Sequence, residues 1–245
     1  MTRPLCLITG ASTGIGAACA TLAAAQGYNL ILTYNSDAAG VARVAADCEA
    51  AGARAQTVQA DVADPTAIDR IFAMVDATGP LAALVNNAGI VADATRVADL
   101  THARLRQIFD VNVIGAILVA AAAVRRMEPQ GKGVIINITS AAARLGSANQ
   151  YVDYAASKAA METFTKGLSD EVAPSGLRVM AVAPGLIETP IHAKGGDPDR
   201  AARLAPNVPL RRTGTAEEVA QAVLWLMSGQ AAYVTGSTLD VTGGR

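Results

Sequence analysis

This sequence has no excess of charge and few aromatic side chains. Its 245 residues carry 20 Lys and Arg against 21 Asp and Glu, a formal net charge of −1, and aromatic residues make up 4%. No basic stripe or acidic tail is present, which argues against nucleic acid and a charged membrane surface as partners. The composition instead favours a small molecule as the ligand.

Cysteine and long hydrophobic runs are also scarce. Cys6, Cys19 and Cys48 are odd in number and form no CxxC pair, so we expect reduced thiols in the core. The longest apolar stretch, 114–124, is shorter than the roughly 20 residues that span a bilayer, and the first residues lack the apolar run of a signal peptide. We therefore expect a cytoplasmic protein without a membrane segment, and no bound metal.

Aliphatic residues are abundant, since 51% of the chain is hydrophobic. Short apolar runs alternate with longer Ala-rich stretches, and several runs are continuously apolar, which is typical of strands covered on both faces. We expect strands over 5–9, 29–33, 55–59, 83–86, 134–138, 178–183 and 238–241, and helices over 14–26, 38–51, 65–77, 105–127, 155–173 and 216–228. This alternation predicts an α/β fold in which helices flank both faces of a doubly wound, seven-stranded parallel sheet, as one domain over residues 1–245.

Residues 192–213 show no obvious element and are rich in Gly, Pro, Arg and Asp. A long irregular segment in a compact domain is usually functional, so we expect a substrate lid around residues 190–213. Its cations could attract an anionic substrate, although solvated loop charges are the simpler explanation. They are His192, Lys194, Arg200, Arg203, Arg211 and Arg212.

A glycine-rich turn follows the first predicted strand. Residues 9–16 read TGASTGIG and lead directly into a predicted helix. Gly10 permits the tight turn, Gly14 lets the backbone approach a pyrophosphate, and Gly16 allows close packing of helix on sheet. The N–H groups at the helix N-terminus would face the phosphates. The turn predicts a dinucleotide site, and the Gly-Lys-Ser/Thr of a nucleoside triphosphate loop is absent.

Two residues with acid–base potential lie four apart in a later predicted helix. Tyr154 and Lys158 therefore share one helix face. An unperturbed tyrosine has a pKa of about 10, and a cation about 4 Å away at an effective dielectric of about 20 supplies roughly the energy of a three-unit shift. We expect Lys158 to lower the pKa of Tyr154. Tyr151 is followed four residues later by Ala155, lacks such a cation, and is predicted to be a packing residue.

Polar residues also follow other predicted strands. Ser140, after the fifth strand, is placed to donate a hydrogen bond to a substrate carbonyl oxygen. Asp61-Val62 and Asn86-Asn87-Ala88-Gly89 follow the third and fourth strands, at the edge where such sheets bind ligands. Asn112 lies in an apolar helix, where a buried amide is expected to have hydrogen-bond partners or a functional role. A satisfied core amide is the alternative interpretation.

Together, TGxxxGxG, NNAG, the Asn, the Ser and YxxxK span nearly the whole chain. The sequence resembles the short-chain dehydrogenase/reductase family, in particular bacterial members described as sugar dehydrogenases or 3-oxoacyl reductases. The resemblance implies a Rossmann fold and hydride transfer between NAD(P)(H) and a carbonyl or secondary alcohol. It also implies a homo-oligomer, a tetramer or dimer, paired through helices equivalent to 105–127 and 155–173.

The resemblance also implies residue roles. Tyr154 would be the general acid or base, Lys158 would hold the nicotinamide ribose, and Ser140 would orient the substrate oxygen. Asn112 would anchor a water in a proton relay. The implied cofactor contacts are Gly10, Ser12, Thr13, Gly14, Ile15, Gly16, Tyr34, Asn35, Ser36, Asp61, Val62, Asn87, Ala88, Gly89, Tyr154, Lys158, Pro184, Gly185, Ile187 and Thr189. Ser140 lies 14 residues before Tyr154 where many relatives have 13, which leaves Ser147 and Thr139 as alternative donors.

The end of the second predicted strand bears on the choice of cofactor. NAD-binding proteins usually carry an acid there for the ribose 2′-OH, but Tyr34 takes that place and is followed by Asn35 and Ser36. Asp37 is more simply explained as a helix cap than as a ribose ligand. The basic residue of NADP-preferring relatives is missing, since Thr13 stands there. We expect NADP(H) to be preferred over NAD(H).

Two other functions are compatible with a nucleotide-binding fold. A non-catalytic NAD(P)-binding regulatory protein would keep the fold, but such proteins typically lack the Tyr or the Lys. An epimerase or dehydratase usually has a longer chain and a different glycine pattern. Because Tyr154 and Lys158 are both present, the sequence favours an oxidoreductase, with its substrate left open.

Overall fold

One seven-stranded parallel sheet organises the chain in the computed structural model, which describes residues 3–191, 196–197 and 199–245. Its strand order is β3-β2-β1-β4-β5-β6-β7, so the winding reverses between β1 and β4 and leaves a crevice beyond their carboxyl ends. The strands are β1 (Leu5–Ile8), β2 (Asn29–Tyr34), β3 (Ala55–Gln59), β4 (Leu81–Asn86), β5 (Gly133–Ile138), β6 (Leu177–Pro184) and β7 (Thr238–Val241). The predicted α/β fold with a doubly wound parallel sheet is confirmed.

Helices cover both faces of this sheet. They are α1 (Gly14–Ala25), α2 (Ala38–Ala50), α3 (Pro65–Thr78), α4 (His102–Phe109), α5 (Ala116–Met127), α6 (Ala142–Leu145), α7 (Val152–Val172), α8 (Arg200–Leu204) and α9 (Ala216–Met227). Helices α1, α2 and α9 contribute to the hydrophobic core on one face, and α3, α5 and α7 to the core on the other. The strands are therefore covered on both sides.

This double burial explains the continuously apolar strands. In β1, Cys6 and Ile8 belong to one core, whereas Leu5 and Leu7 belong to the other. Because successive side chains of a strand point to opposite faces, every position of a central strand must be apolar. The ends of all seven predicted strands agree with the structure to within two residues.

Side-chain caps determine where several helices begin. Asp64 accepts the N–H of Thr66 at 2.9 Å just before α3, whose first residue is a proline. Thr215 and Glu218 form a reciprocal capping box at the start of α9. Thr101 caps α4, which therefore begins three residues before the predicted helix 105–127.

A π-helical segment, Asp110–Gly115, joins α4 to α5 without a break. A Cβ at Gly115 would lie 2.4 Å from the carbonyl oxygen of Val62, so glycine lets this helix approach the loop after β3. By length and composition alone, the continuous helical stretch His102–Gln130 could cross a membrane, because an 18-residue window within it has a mean hydropathy of 1.9. Val119 and Met127 are nevertheless fully buried in the protein core, as in a core helix.

The segment predicted as a lid contains regular structure, so the expectation of an irregular stretch over 192–213 was wrong in part. Helix α8 lies within it, and Ala201 and Leu204 pack with Leu186 and Val208 in a small apolar cluster. These two residues are three apart, a helical spacing too short to stand out in the sequence. Of the predicted lid cations, His192 and Lys194 lie outside the described residues.

The cysteines agree with their predicted state. Cys6, Cys19 and Cys48 are all buried, and none forms a disulfide. Burial raises the pKa of Cys19 to about 12. Burial, with the charges of Asp47 and Glu49, raises the pKa of Cys48 to about 11. The three thiols are therefore protonated core residues near neutral pH.

Candidate active site

Hydrogen bonds tie the turn after β1 to the turn after β4. The hydroxyl oxygen of Thr9 accepts the N–H groups of Asn87 and Ala88, each at 2.9 Å. The Asn87 side-chain amide donates in return to the carbonyl oxygens of Thr9 at 2.9 Å and Gly10 at 3.0 Å. These bonds hold the two glycine-containing turns side by side at the crevice.

Two glycines of the first turn have different structural uses. Gly14 has a φ of +57°, and a Cβ there would lie 3.2 Å from the side chain of Thr189. A Cβ on Gly16 would lie 2.3 Å from the carbonyl oxygen of Gly10, which no real contact allows. Gly14 thus leaves space between the turn and Thr189, whereas Gly16 lets α1 pack beneath the turn.

A cavity of about 710 Å³ opens at the carboxyl ends of the strands, within the size range of cofactor sites. It brings the glycine-rich turn and the YxxxK motif together. The predicted site residues that line it are Gly10, Ser12, Thr13, Gly14, Ile15, Tyr34, Asn35, Ser36, Asp61, Val62, Asn87, Ala88, Gly89, Ser140, Tyr154, Lys158, Pro184, Gly185, Ile187 and Thr189. Gly16 and Asn112 do not line it.

The end of β2 provides polar side chains but no cation to the cavity. Tyr34, Asn35 and Ser36 line it, as predicted. The Asp37 carboxylate accepts the N–H of Gly40 at 2.8 Å and so caps α2, which confirms the simpler interpretation of that acid. One oxygen of the Asp37 carboxylate is thus used to cap the helix.

Ser140 is the donor that the geometry favours near Tyr154. Its hydroxyl oxygen accepts the N–H of Ala142 at 3.1 Å, and it forms a hydrogen bond with Tyr154. Thr139 donates its hydroxyl to the carbonyl oxygen of Val182 at 3.1 Å, so its proton is already used. Ser147 lines the cavity, with a φ of +49°.

The phenol and the ammonium of the YxxxK motif are both partly shielded from water. Burial raises the pKa of Tyr154, and its hydrogen bond with Ser140 only partly offsets this. The prediction that Lys158 lowers the pKa of Tyr154 is therefore wrong for this structure. The Lys158 ammonium lies 5.7 Å from the centre of the Tyr154 ring and donates to the carbonyl oxygen of Ile138 at 3.0 Å.

Lys158 itself is strongly affected by its surroundings. Its side chain is buried, and burial lowers its pKa to about 8, so it remains mostly protonated at neutral pH. A Cβ on Gly89 would lie 3.2 Å from its Nζ atom. The glycine of the NNAG motif therefore leaves room for the ammonium beside the turn after β4.

Asn112 is a satisfied core amide. Its side-chain nitrogen donates to the carbonyl oxygen of Ile90 at 2.9 Å and to the hydroxyl oxygen of Ser157 at 3.1 Å. Its side-chain oxygen accepts the N–H of Ile90 at 2.8 Å. The amide ties the irregular segment after Gly89 to α7, while a role in anchoring a water stays a prediction.

Sequence reasoning missed several cavity residues. Thr33 is buried behind the first turn, where its hydroxyl oxygen accepts the N–H of Gly10 at 3.3 Å. Tyr151, predicted to pack, is indeed buried but also lines the cavity beside Gln150 and Arg200. Tyr151 lies three residues before Tyr154, a spacing that could have indicated a shared site.

Comparisons with known proteins agree with this geometry. The family model described as enoyl-(acyl carrier protein) reductase matches residues 10–245. An uncharacterized oxidoreductase of Escherichia coli (strain K12), YgfF, is 45% identical over 98% of this chain and 99% of its own length. The chain belongs to the short-chain dehydrogenase/reductase family. As a family member it is an oxidoreductase that acts on CH–OH or C=O groups.

Solved structures of relatives extend the comparison to the cofactor. A 3-ketoacyl-(acyl-carrier-protein) reductase from Brucella melitensis, complexed with NADH, has a TM-score of 0.91 and is 30% identical, covering 99% of this chain and 98% of that chain. A short-chain dehydrogenase from Burkholderia cenocepacia J2315, in complex with NADP, has a TM-score of 0.88 and is 34% identical, covering 99% and 97%. A nicotinamide cofactor is therefore supported for this family member.

Proposed function

We propose that this chain is an NADP(H)-preferring oxidoreductase that interconverts a ketone or aldehyde and the corresponding alcohol, with Tyr154 as the proton-transfer residue. The observation that carries the proposal is the meeting of Ser140, Tyr154 and Lys158 with the glycine-rich turn in one cavity. A non-catalytic regulatory protein would not need Ser140, Tyr154 and Lys158 beside the nucleotide site. We further propose that residues 1–245 form one catalytic domain.

In the direction of reduction, the nicotinamide cofactor would supply the hydride that the carbonyl carbon accepts. The phenol of Tyr154 gives its proton to the carbonyl oxygen, so the C=O bond becomes CH–OH. The raised pKa of Tyr154 keeps the phenol protonated at neutral pH, which is the form that this direction requires. In the reverse direction the same oxygen accepts the proton from the alcohol.

Two neighbouring groups support that proton transfer. The Ser140 hydroxyl reaches the phenol and can donate to the same substrate oxygen, where negative charge develops. The Lys158 ammonium, with its pKa of about 8, carries most of its charge at pH 7. It can bind ribose hydroxyls of the cofactor and offers positive charge beside the reacting oxygen.

The preference for NADP(H) rests on the end of β2. Tyr34, Asn35 and Ser36 line the cavity there, while the Asp37 carboxylate is held by its bond to the backbone of α2. A 2′-phosphate would thus meet the hydroxyl and amide groups of Tyr34, Asn35 and Ser36, next to a carboxylate that already accepts a backbone N–H. The three polar side chains can donate hydrogen bonds to it.

We also propose a homo-oligomer, a tetramer or dimer, in the cytoplasm. Ile114 and Leu118 are 43% and 39% exposed on the surface of the helix that contains α5, and Leu105 on α4 is 36% exposed. Ile114 and Leu118 are four residues apart and therefore share a helix face, and exposed apolar side chains that lie together are typical of protein interfaces. Since the long apolar helix contributes to the core, it needs no membrane.

The experiment that tests the activity is a substrate screen. A panel of ketones and aldehydes is mixed with the purified protein and NADPH or NADH, and the loss of absorbance of the reduced nicotinamide is followed. We expect reduction of at least one compound class, faster with NADPH. Binding of NADPH without turnover of any compound would favour the regulatory alternative instead.

A further inference from the structure

The charged side chains that line the cavity are separated by sign. Among the described residues, its acids are Asp37 and Asp61, which follow β2 and β3. Its bases are Lys158, Arg200 and Arg245, which come from α7, the lid and the last residue of the sequence. Two cations therefore remain in the cavity besides the lysine that the proposed mechanism uses.

Among the described arginines of the lid, Arg200 is the one that both lines the cavity and lacks an ion pair. Arg203 forms an ion pair with Asp197, and Arg212 forms one with Glu218. Arg211 donates to the carbonyl oxygen of Pro206 at 2.7 Å. Among the described residues Arg200 pairs with no carboxylate; instead its Nη1 atom donates to the side-chain oxygen of Gln150 at 2.6 Å.

Its guanidinium also lies over the ring of Tyr151, at the start of the helix that carries Tyr154. The group lies 5.1 Å from the centre of the Tyr151 ring. Tyr151 is the residue immediately before α7, and Tyr154 lies in the first turn of that helix. Gln150 and Tyr151 thus fix Arg200 at the Tyr154 end of the cavity, although its charge is not neutralised there.

We propose that the substrate carries an anionic oxygen group, a carboxylate or a phosphoryl group, that Arg200 binds while the carbonyl reaches Tyr154. An arginine has five N–H donors in a planar fork suited to such groups. Gln150 accepts only one of them, which leaves others for a ligand. The inference rests on the proposed function, and it narrows the substrate to anionic carbonyl or hydroxy compounds.

The test measures binding rather than turnover. The protein is saturated with NADPH, so that the phosphate cradle is filled, and hexanoate, hexyl phosphate and hexanol are titrated in a calorimeter. We expect one of the anions to bind at least tenfold more tightly than hexanol, in line with a charge-assisted hydrogen bond. Tighter binding of hexanoate would indicate a carboxylate on the substrate, and tighter binding of hexyl phosphate would indicate a phosphoryl group.

Three variants test whether Arg200 causes the preference for the anion over hexanol. Arg200→Gln should lose the preference for the anion while binding hexanol as before, and Arg200→Lys should keep part of it. Arg203→Gln is the matched control, because that arginine is paired with Asp197, and it should keep the full preference. Equal affinity for anions and hexanol, including no measurable binding of any of them, or an unchanged preference in Arg200→Gln, would overturn the inference.

These experiments distinguish a failure of the proposed oxidoreductase function from a failure of the proposed role of Arg200. Reduction of neutral ketones by a protein without any anion preference would keep the proposed function and remove the role of Arg200. An anion preference that depends on Arg200, in a protein that reduces no carbonyl compound, would do the opposite.

Discussion

Tyr154 and Lys158 line the same cavity, and burial changes the proton affinity of both side chains. Burial raises the pKa of Tyr154 and lowers that of Lys158, so each group favours its neutral form more than spacing alone predicted. Burial depends on the packing of distant elements, which no four-residue motif contains.

The proposed preference for NADP(H) can be tested at Tyr34, which lines the cavity at the end of β2. We expect Tyr34→Asp to lower the ratio of kcat/KM for NADPH over NADH by about tenfold or more, because a carboxylate would repel the 2′-phosphate and can bind the 2′-OH. Tyr34→Phe keeps the ring without adding charge and serves as the control. An unchanged ratio in Tyr34→Asp would show that the 2′ position lies elsewhere.

At the scale of elements, the sequence predicted most of the fold because its strands are buried on both faces. Continuous apolar runs mark such strands clearly, and the Gly-rich turn marks the start of α1. The π-helical segment before α5 was not predicted, because the apolar pattern over 105–127 reads as one continuous α-helix and the close approach of Gly115 to Val62 is a tertiary contact. Helix α8 was missed because its apolar pattern is one turn long.

The exposed apolar surface of the α4–α5 helix carries a prediction of its own. Leu118→Glu should shift the protein from an oligomer toward a monomer, because a buried unpaired carboxylate at an interface is strongly unfavourable. Light scattering after size-exclusion chromatography measures the mass directly. Leu210→Glu, at an exposed leucine of the lid, is the matched control. An unchanged mass in Leu118→Glu would place the interface, if any, on another surface.

For the whole molecule, the buried thiols predict a loss of stability in alkali. The three thiols ordinarily lose their protons near pH 9.0, but burial keeps those of Cys6, Cys19 and Cys48 protonated in the folded state. Above this pH the unfolded chain binds fewer protons than the folded one, so the free energy of unfolding falls as pH rises. Lys158 has the opposite effect. Because its pKa is lowered from 10.5 to about 8, the folded chain binds fewer protons than the unfolded one between these pH values, so this side chain makes the free energy of unfolding rise with pH.

The three thiols should lower the free energy of unfolding with rising pH by more than Lys158 raises it. Urea unfolding under reducing conditions should therefore show a falling free energy of unfolding from about pH 9 to 11, with a shallower fall in Cys48→Ala. A free energy that stays constant or rises over this range would mean that the thiols do not keep their protons in the fold.

The central claim is that the phenol of Tyr154 transfers the proton, and Tyr154→Phe tests it most directly. With a carbonyl compound found in the screen, kcat should fall at least about a thousandfold, within the range of lost general acid catalysis, while the Kd for NADPH stays within about threefold. Tyr28→Phe, a tyrosine packed against the core away from the cavity, should retain activity. Turnover by Tyr154→Phe comparable to that of the unmodified protein would contradict the account.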